Sequence, residues 1–259
     1  MIHPIPFVIT TLPSWLDHPE FTLLAREADS FVLQVHSVPP LNKGRHLALC
    51  DARSVNQWVA KAAHLRMRFS VALPTYRCSA GYGSSGKLLS VAMDSVQPAW
   101  PPATRVLEFA AQADDMAALI SDWQHARPTE LREIIWYRIP VATDLRNWRW
   151  STLSAVMSGR KPTHHLDIVQ RGENPIDLSI VNTGEADEQL NAVVTAAPNG
   201  QPVVAADAVR GWTVDVTSHR AVFSTAADKE MQLSPGETRA IGWLRCERAA
   251  NLRVELSQK

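Results

Sequence analysis

The pattern of apolar and polar residues divides the chain into two parts. In the first part, four short apolar runs alternate with segments in which apolar residues recur at helical spacing. Short continuous apolar runs predict buried strands, and helical spacing predicts helices that bury one face. The predicted strands are Phe7–Thr10, Phe31–Val38, Phe69–Tyr76 and Glu133–Pro140.

The periodic segments between these strands predict helices. Val55, Trp58 and Val59 lie on one face of the clearest helix, and Asp51 precedes them as a predicted N-cap. The helical segments are Trp15–Ala28, Asp51–Arg66 and a helix that opens at Asp114 and ends before Pro128. A hairpin that turns at Gly83–Gly86 is expected after the third strand.

Apolar strands that alternate with helices indicate a parallel sheet covered by helices on both faces. A TIM barrel needs eight strand–helix units, and only four precede the change of pattern. The sequence therefore predicts an α/β domain over residues 1–161 that is a partial, half TIM-like parallel barrel. The open edges of such a sheet, Phe7–Thr10 and Glu133–Pro140, are apolar, so self-association through them is expected.

After Pro162 the pattern changes to seven short strand candidates, several of them separated by turn signals such as Asn199–Gly200. Short strands at this spacing predict a small antiparallel β-sandwich over residues 162–259. The polar segment Gly159–Thr163 is the predicted linker between the two domains. The expected sandwich core contains Ile168, Leu178, Ile180, Val193 and Ile241.

The composition of the chain narrows the classes of molecule that are expected to bind it. Lys plus Arg equals Asp plus Glu at 26 each, a balance that gives no electrostatic footprint for nucleic acid or an anionic membrane. No apolar run is long enough to span a bilayer. The three cysteines are far apart, and His164–His165 lack a third ligand at motif spacing, so no disulfide framework, metal site or cofactor is predicted.

Four segments in order resemble a bacterial family, domain-of-unknown-function family 3142. They are TTLPSWL at Thr10–Leu16, FVLQVHSV at Phe31–Val38, VALPTY at Val71–Tyr76 and IIWYRIPVATDLRNWRW at Ile134–Trp150. The resemblance extends over roughly Met1–Arg160 and implies a TIM-barrel-like fold with no established activity.

As the resemblance implies, fuller members carry several strand–helix units before the LPSWL strand, one of them with acidic residues, and are candidates for export to the cell envelope. This chain is then similar to the second half of the barrel plus a β tail. A start assigned too late, a truncated gene, or pairing with another chain are three alternatives. The N-terminus lacks the basic segment of a secretory signal, which leaves the compartment open.

Chemistry in TIM barrels lies at the C-terminal ends of the strands, so candidate site residues are sought there. Gln34 and His36 share a face near the end of the second strand. They either face a ligand as a hydrogen-bonding pair or form a satisfied core pair. Tyr76 ends the third strand, where it lines a pocket or packs its ring at the rim.

Trp136 and Arg138 share a face near the end of the fourth strand, and Asp144 follows in the next loop. Arg138 either clamps a ligand or forms a salt bridge to Asp144 or another carboxylate. Trp136 is a candidate platform for a sugar face or a core residue. Asp144 or Asn147 is the expected cap of the following helix.

Two functions are weighed from these residues. One is a carbohydrate-related activity in a TIM-like barrel that takes a small-molecule or saccharide ligand. Glycoside hydrolysis normally needs two carboxylates about 5–9.5 Å apart, and no convincing pair lies at the strand ends, so this chain alone is not expected to be a competent enzyme. The alternative is a non-catalytic binding or scaffold protein of the cell envelope.

Overall fold

The computed structural model describes residues 5–38, 48–93, 98–226 and 231–258 of the chain. The chain divides into two compact units, residues 1–161 and residues 162–259. Within the described residues, none of the helices has the length and apolar character needed to cross a bilayer.

The first unit contains a parallel sheet, as the alternation of strands and helices predicts. In the described residues, the strands of the first unit are β1 (Val8–Thr11), β2 (Ser30–Gln34), β3 (Phe69–Pro74), β4 (Arg77–Tyr82), β5 (Leu88–Ala92), β6 (Arg105–Ala110) and β7 (Leu131–Tyr137). Strands β1, β2, β3 and β7 lie side by side in that order, and every neighbouring pair is parallel. The mixed α/β class with a parallel sheet is therefore confirmed.

Four α-helices pack on this sheet: α1 (Pro19–Arg26), α2 (Ala52–Ala63), α3 (Ala113–Ala126) and α4 (Trp150–Met157). Asp51 caps α2 as predicted, since its carboxylate accepts a hydrogen bond from the backbone N–H of Ser54 at 2.8 Å. The predicted helix over Trp15–Ala28 is divided: a 3-10 helix covers Pro13–Asp17, and α1 begins at Pro19. Proline fits the first turn of a helix because its missing N–H needs no partner there.

Among the described residues, the helices pack on one face of the sheet. Central strand β3 is buried at every position, as expected, whereas edge strands β1 and β7 carry exposed side chains on the other face. Phe31, Leu33, Val71 and Leu73 point to the helices and are fully buried. The opposite face is called the open face here. It carries Val8, Val32, Gln34, Ala72, Ile135 and Tyr137, which occupy the alternate positions of the same strands. Edge strand β7 alternates between partly buried and exposed side chains, so a nearly continuous apolar run does not guarantee two buried faces.

A separate three-stranded antiparallel sheet follows β3, in the order β5–β4–β6. The predicted hairpin corresponds to β4 and β5, and its turn is closed by a hydrogen bond from the Gly83 N–H to the Lys87 carbonyl at 3.0 Å. Strand β6 was not predicted, although it pairs with β4 along six residues. Tyr76, Tyr82 and Phe109 are buried in the small core of this sheet.

The second unit is made of antiparallel sheets, as predicted. Its strands are β8 (Leu166–Arg171), β9 (Ile176–Asn182), β10 (Glu188–Gln189), β11 (Ala192–Pro198), β12 (Val203–Ala208), β13 (Trp212–Thr217), β14 (Arg220–Thr225), β15 (Gln232–Leu233), β16 (Thr238–Cys246) and β17 (Leu252–Gln258). Two four-stranded sheets form, β13–β14–β11–β17 and β12–β16–β9–β8, and β10 pairs with β15. Strands β10, β12 and β15 were not predicted.

The core of the second unit draws residues from both four-stranded sheets. Leu178, Ile180 and Ile241 are fully buried in it, and Ile168 packs at its margin. The expected core residue Val193 is wrong by one position, because Val194 is fully buried and Val193 is only partly buried. A shift of one residue along a strand moves a side chain to the other face of the sheet.

Candidate functional site

Three rings meet at the C-terminal ends of β2, β3 and β7. His36 stacks on Tyr137 with ring centroids 5.6 Å apart and planes 17° apart. Tyr76 meets both rings edge to face, at centroid distances of 5.7 Å from His36 and 5.9 Å from Tyr137. His36 and Tyr76 are buried, whereas the Tyr137 residue is 48% exposed. The ring cluster, His36, Tyr76 and Tyr137, therefore presents one aromatic ring to solvent and hides two polar groups behind it.

The two buried members of the ring cluster form a neutral hydrogen-bonded pair. The Tyr76 hydroxyl lies 3.2 Å from His36 Nδ1. Burial lowers the pKa of His36 to about 4. Burial raises the pKa of Tyr76 to about 12, and the nearby Arg138 opposes this rise. Because desolvation disfavours the charged form of each group, both stay uncharged at neutral pH, and the imidazole can accept the tyrosine O–H.

A charged pair flanks the ring cluster. Arg138 Nη2 lies 2.6 Å from Asp144 Oδ2, and the same nitrogen donates to the backbone carbonyl of Met93 at 3.2 Å. The structure therefore shows the salt bridge to Asp144 that the sequence offered as one of two roles for Arg138. The guanidinium is compensated by a carboxylate within the chain, so this pair adds no net charge to the site.

Backbone and side-chain hydrogen bonds join the segment after β7 to the end of β3. The Thr75 hydroxyl accepts the Arg138 backbone N–H at 2.7 Å and donates to the Arg138 carbonyl. Asn147 Nδ2 also donates to the Arg138 carbonyl, at 2.9 Å. The backbone N–H of Trp148 donates to the Thr75 carbonyl at 2.8 Å. These contacts, called the Thr75 latch here, hold Tyr137 and Arg138 beside Tyr76.

The structure brings four of the six candidate residues to one place and turns Trp136 to the other face of the sheet. His36 and Tyr76 are in direct contact, and Arg138 and Asp144 form their salt bridge next to them. Gln34 is the last residue of β2 and lies on the open face, where it pairs in register with Ala72. This pair comes two residues before the pair of Pro74 with Tyr137.

Trp136 points to the helix side, where it packs on Trp148 with ring centroids 6.4 Å apart. The core role is the one the structure shows for Trp136.

Tyr137 is the site residue that the sequence did not single out. The alternation of β7 places Trp136 toward the helices and Tyr137 on the open face. Arg138 was assigned to the face of Trp136, but β7 ends at Tyr137, so the alternation of the strand does not extend to Arg138. The half-apolar character of a tyrosine at an exposed strand end is the signal that could have identified it.

The expected capping role of Asp144 or Asn147 is wrong. Arg149 is the N-cap of α4, and no side chain caps this helix. Asp144 accepts hydrogen bonds within its own loop, including one from the Arg146 backbone N–H at 3.0 Å. In the second unit, His164 lies 2.9 Å from the Glu188 carboxylate, and His165 lies 3.2 Å from that of Asp167.

Two family models match the chain. A model described as a domain of unknown function, DUF3142, matches residues 2–142. A second, described as a domain of unknown function, DUF8456, matches residues 168–247. No curated protein matches the sequence.

Similar solved structures include three at low identity. Chitinase ChiA74 from Bacillus thuringiensis is 11% identical with a TM-score of 0.36, over 97% of this chain and 66% of that one. A family GH18 chitinase from Chromobacterium violaceum is 9% identical with a TM-score of 0.32, over 97% and 59%. The chitin-binding domain of a chitinase from Pyrococcus furiosus is 9% identical with a TM-score of 0.26, over 38% and 95%. This chain thus spans less than two thirds of the two chitinases, and TM-scores this low establish neither a shared fold nor a shared activity.

Proposed function

The chain belongs to the DUF3142 family, a domain of unknown function. From the geometry of its candidate site, we propose that it binds an uncharged saccharide and does not catalyse a reaction of that saccharide. The ring cluster forms the binding surface, with Tyr137 as the exposed platform. The parallel sheet that carries the cluster is, in this proposal, half of a TIM-like barrel.

The observation that carries the proposal is the exposed Tyr137 ring with polar groups beside it. An aromatic ring offers an apolar face for the C–H groups of a pyranose, and Tyr, His and Arg side chains supply hydrogen bonds around it. The ring stacks on His36 and touches Tyr76, so it is held in place before any ligand arrives. A preorganised ring loses little side-chain entropy when a ligand binds to it.

The charges at the site favour an uncharged ligand over a phosphate or a carboxylate. Arg138 is paired with Asp144 at 2.6 Å, and the His36–Tyr76 pair is neutral. An anion that approached Arg138 would have to compete with Asp144 at a cost in free energy. Hydroxyl groups can instead hydrogen-bond to this pair without separating it.

The same groups argue against catalysis by this chain. A general acid or base works best when its pKa is near the working pH, and the pKa of His36 lies at about 4. Asp144 is engaged by Arg138, and Glu108 is engaged by Arg146 at 2.6 Å. Glycoside hydrolysis calls for two carboxylates free to act on the substrate. A binding role therefore fits these residues better than hydrolysis.

Isothermal titration calorimetry tests the proposal with a panel of oligosaccharides built from neutral sugars, from N-acetylated amino sugars and from uronates. We expect binding of neutral members, weakened about tenfold by Tyr137→Ala, which corresponds to about 1.4 kcal/mol. Tyr137→Phe keeps the ring and should retain most of the affinity. Trp150→Ala removes an aromatic residue that is also exposed and serves as the matched control.

Three outcomes would count against the proposal: no binding by any neutral oligosaccharide, a preference for uronates, or equal effects of Tyr137→Ala and Trp150→Ala. Release of reducing ends during long incubation would refute the non-catalytic part alone. A sample that binds none of the panel but retains its fold would favour the scaffold alternative.

A further inference from the structure

Trp243 lies on the outer face of the second unit, away from the core of the sandwich. Its strand, β16, buries Leu244 and Cys246, so the alternation of the strand directs Trp243 and Arg245 outward. Trp243 is only partly buried on that face. Tryptophan normally contributes to a core, because its large ring gains much free energy when it leaves water. A ring on the outer face is instead accessible to a molecule that binds from solvent.

Two aspartates flank Trp243 on the neighbouring strands. Asp207 of β12 and Asp177 of β9 each pair in register with Trp243, one on either side. Side chains directly opposite each other across antiparallel strands have Cβ atoms about 4.5–5.5 Å apart. Both aspartates point away from the core, since the adjacent residues Ala208 and Leu178 pack inward. The indole side chain therefore has a carboxylate on either side of it.

Two arginines lie on the same face beside these three residues. Arg171 of β8 pairs in register with Asp177, and Arg245 follows Trp243 by two positions along β16. All four charged side chains are exposed, and the ion pairs within the described part of the second unit join other residues. Two carboxylates and two guanidinium groups give no net charge. Their oxygens and N–H groups are accessible to a ligand.

Small side chains around Trp243 keep this face of the sheet shallow. Ser179 pairs with Ala240 on one side of the Trp243 row, and Ala205 pairs with Arg245 on the other. Methyl and hydroxymethyl groups rise little above a sheet. A flat molecule can therefore reach the indole ring without first meeting a bulky neighbour.

We propose that this surface, called the Trp243 platform here, binds an uncharged saccharide. The Trp243 platform consists of Trp243, Asp177, Asp207, Arg171 and Arg245. The indole ring offers an apolar face for the C–H groups of a pyranose, the carboxylates accept hydrogen bonds from hydroxyl groups, and the guanidinium groups donate to them.

The mixture of charges selects for an uncharged ligand. Arg171 and Arg245 repel an ammonium group, and Asp177 and Asp207 repel a carboxylate or a phosphate. A sugar hydroxyl can use both kinds of group because it donates and accepts. All residues of the Trp243 platform belong to the second unit, so this site goes beyond the proposed function and does not depend on the ring cluster.

An NMR titration of the full chain tests the Trp243 platform with hexasaccharides of glucose, of N-acetylglucosamine and of glucosamine. The indole N–H signal of Trp243 is identified by its absence from Trp243→Phe, and it should shift with at least one of the two uncharged hexasaccharides. Calorimetry in a Tyr137→Ala background isolates this site from the ring cluster. There, Trp243→Ala should weaken binding at least about tenfold, and Trp243→Phe should weaken it less because it keeps a ring.

The aspartates have a matched control on the other four-stranded sheet. Asp177→Asn and Asp207→Asn should each weaken binding about threefold to tenfold, because hydrogen bonds to a charged acceptor are the stronger ones. Asp215 is also an exposed strand residue, on β13, and Asp215→Asn should leave the affinity unchanged. Because Trp243 lies outside the core, Trp243→Ala should melt as cooperatively as the parent protein.

A Trp243 indole signal that neither uncharged hexasaccharide moves would overturn the proposal, and so would equal affinities of the Trp243→Ala and Asp215→Asn proteins. Tighter binding of the glucosamine hexasaccharide that is lost at high salt would also overturn it, since the aspartates would then be capturing a cation. Binding that persists in Tyr137→Ala and disappears with Trp243→Ala supports the Trp243 platform whatever the ring cluster does. Failure of this proposal and failure of the proposed function are therefore distinguishable.

Discussion

At the residue scale, the buried His36 side chain makes folding stability depend on pH. Its pKa falls from 6.5 to about 4 on folding because burial disfavours the charged imidazole. The unfolded chain therefore binds a proton in this window that the folded chain does not, and stability falls as the pH is lowered from about 6.5 to 4. A pKa shift of this size corresponds to about 3 kcal/mol in the free energy of unfolding. This contribution is present in full above pH 6.5 and is lost below pH 4.

Urea unfolding at a series of pH values checks this expectation. His36→Gln keeps a hydrogen-bonding side chain opposite Tyr76 and removes the titration, so the variant should show a flatter stability profile between pH 6.5 and 4. Comparison with the parent protein separates His36 from the carboxylates that titrate at lower pH. Identical slopes for the parent and the variant would show that His36 is solvated in the folded protein.

At this scale, the sequence identified which residues belong to the site better than it identified the face of the strand on which each side chain lies. His36, Tyr76 and Arg138 were chosen from strand ends and Asp144 from the loop after the fourth strand, and the structure places them together. Trp136 was expected beside them and lies on the other face. The period of two along a strand relates residues to each other, but it does not say which set faces the helices when both sets are apolar.

At the element scale, the segment after β7 depends on the Thr75 latch. Thr75 is fully buried, and its hydroxyl both accepts the Arg138 N–H and donates to the Arg138 carbonyl. Thr75→Val preserves the shape of the side chain and removes the hydroxyl. It should cost about 1–3 kcal/mol in urea unfolding, because it leaves a buried amide without its acceptor.

Thr75→Ser retains the hydroxyl and should recover most of that free energy. Amide hydrogen exchange adds a local readout: the Arg138 and Trp148 amides should lose protection in Thr75→Val, while amides in α2 should not. Equal stability of the Val and Ser variants would show that the hydroxyl is dispensable and that the loop is held by other contacts.

Elements with a strong apolar period were predicted well, and elements with a weak one were missed. The four parallel strands and α2 follow from apolar runs and a clear N-cap. Strand β6 was missed because Arg105 and Glu108 interrupt its apolar residues, and its partner β4 decides its conformation. Strand β12 has a similar pattern, in which exposed and partly buried residues outnumber buried ones. Pairing between distant segments is the information that local pattern lacks.

At the scale of the whole molecule, we expect the two units to be domains that fold independently. Each has its own hydrophobic cluster, one built around Phe31 and Phe69 and the other around Ile180 and Phe223. Helix α4 ends at Met157, and the exposed Arg160 and Lys161 precede β8. The predicted linker Gly159–Thr163 therefore contains one trypsin site outside any helix or strand, after Arg160, because Pro162 blocks cleavage after Lys161.

Limited trypsin digestion followed by mass spectrometry checks this domain division. We expect early cleavage after Arg160 and a resistant fragment that extends from Lys161 to the C-terminus. A matched protein with Arg160→Gln and Lys161→Gln should lose this early cut and keep its overall melting behaviour, since both side chains are exposed.

The fragment 162–259, expressed alone, should unfold cooperatively, because both sheets and the core between them lie within it. The fragment 1–161 should behave differently, since its open face and edges remain uncovered and favour self-association. Initial cleavage after Arg239 or Arg245 within β16, or a fragment 162–259 without cooperative unfolding, would mean that the sandwich needs the first unit for its stability.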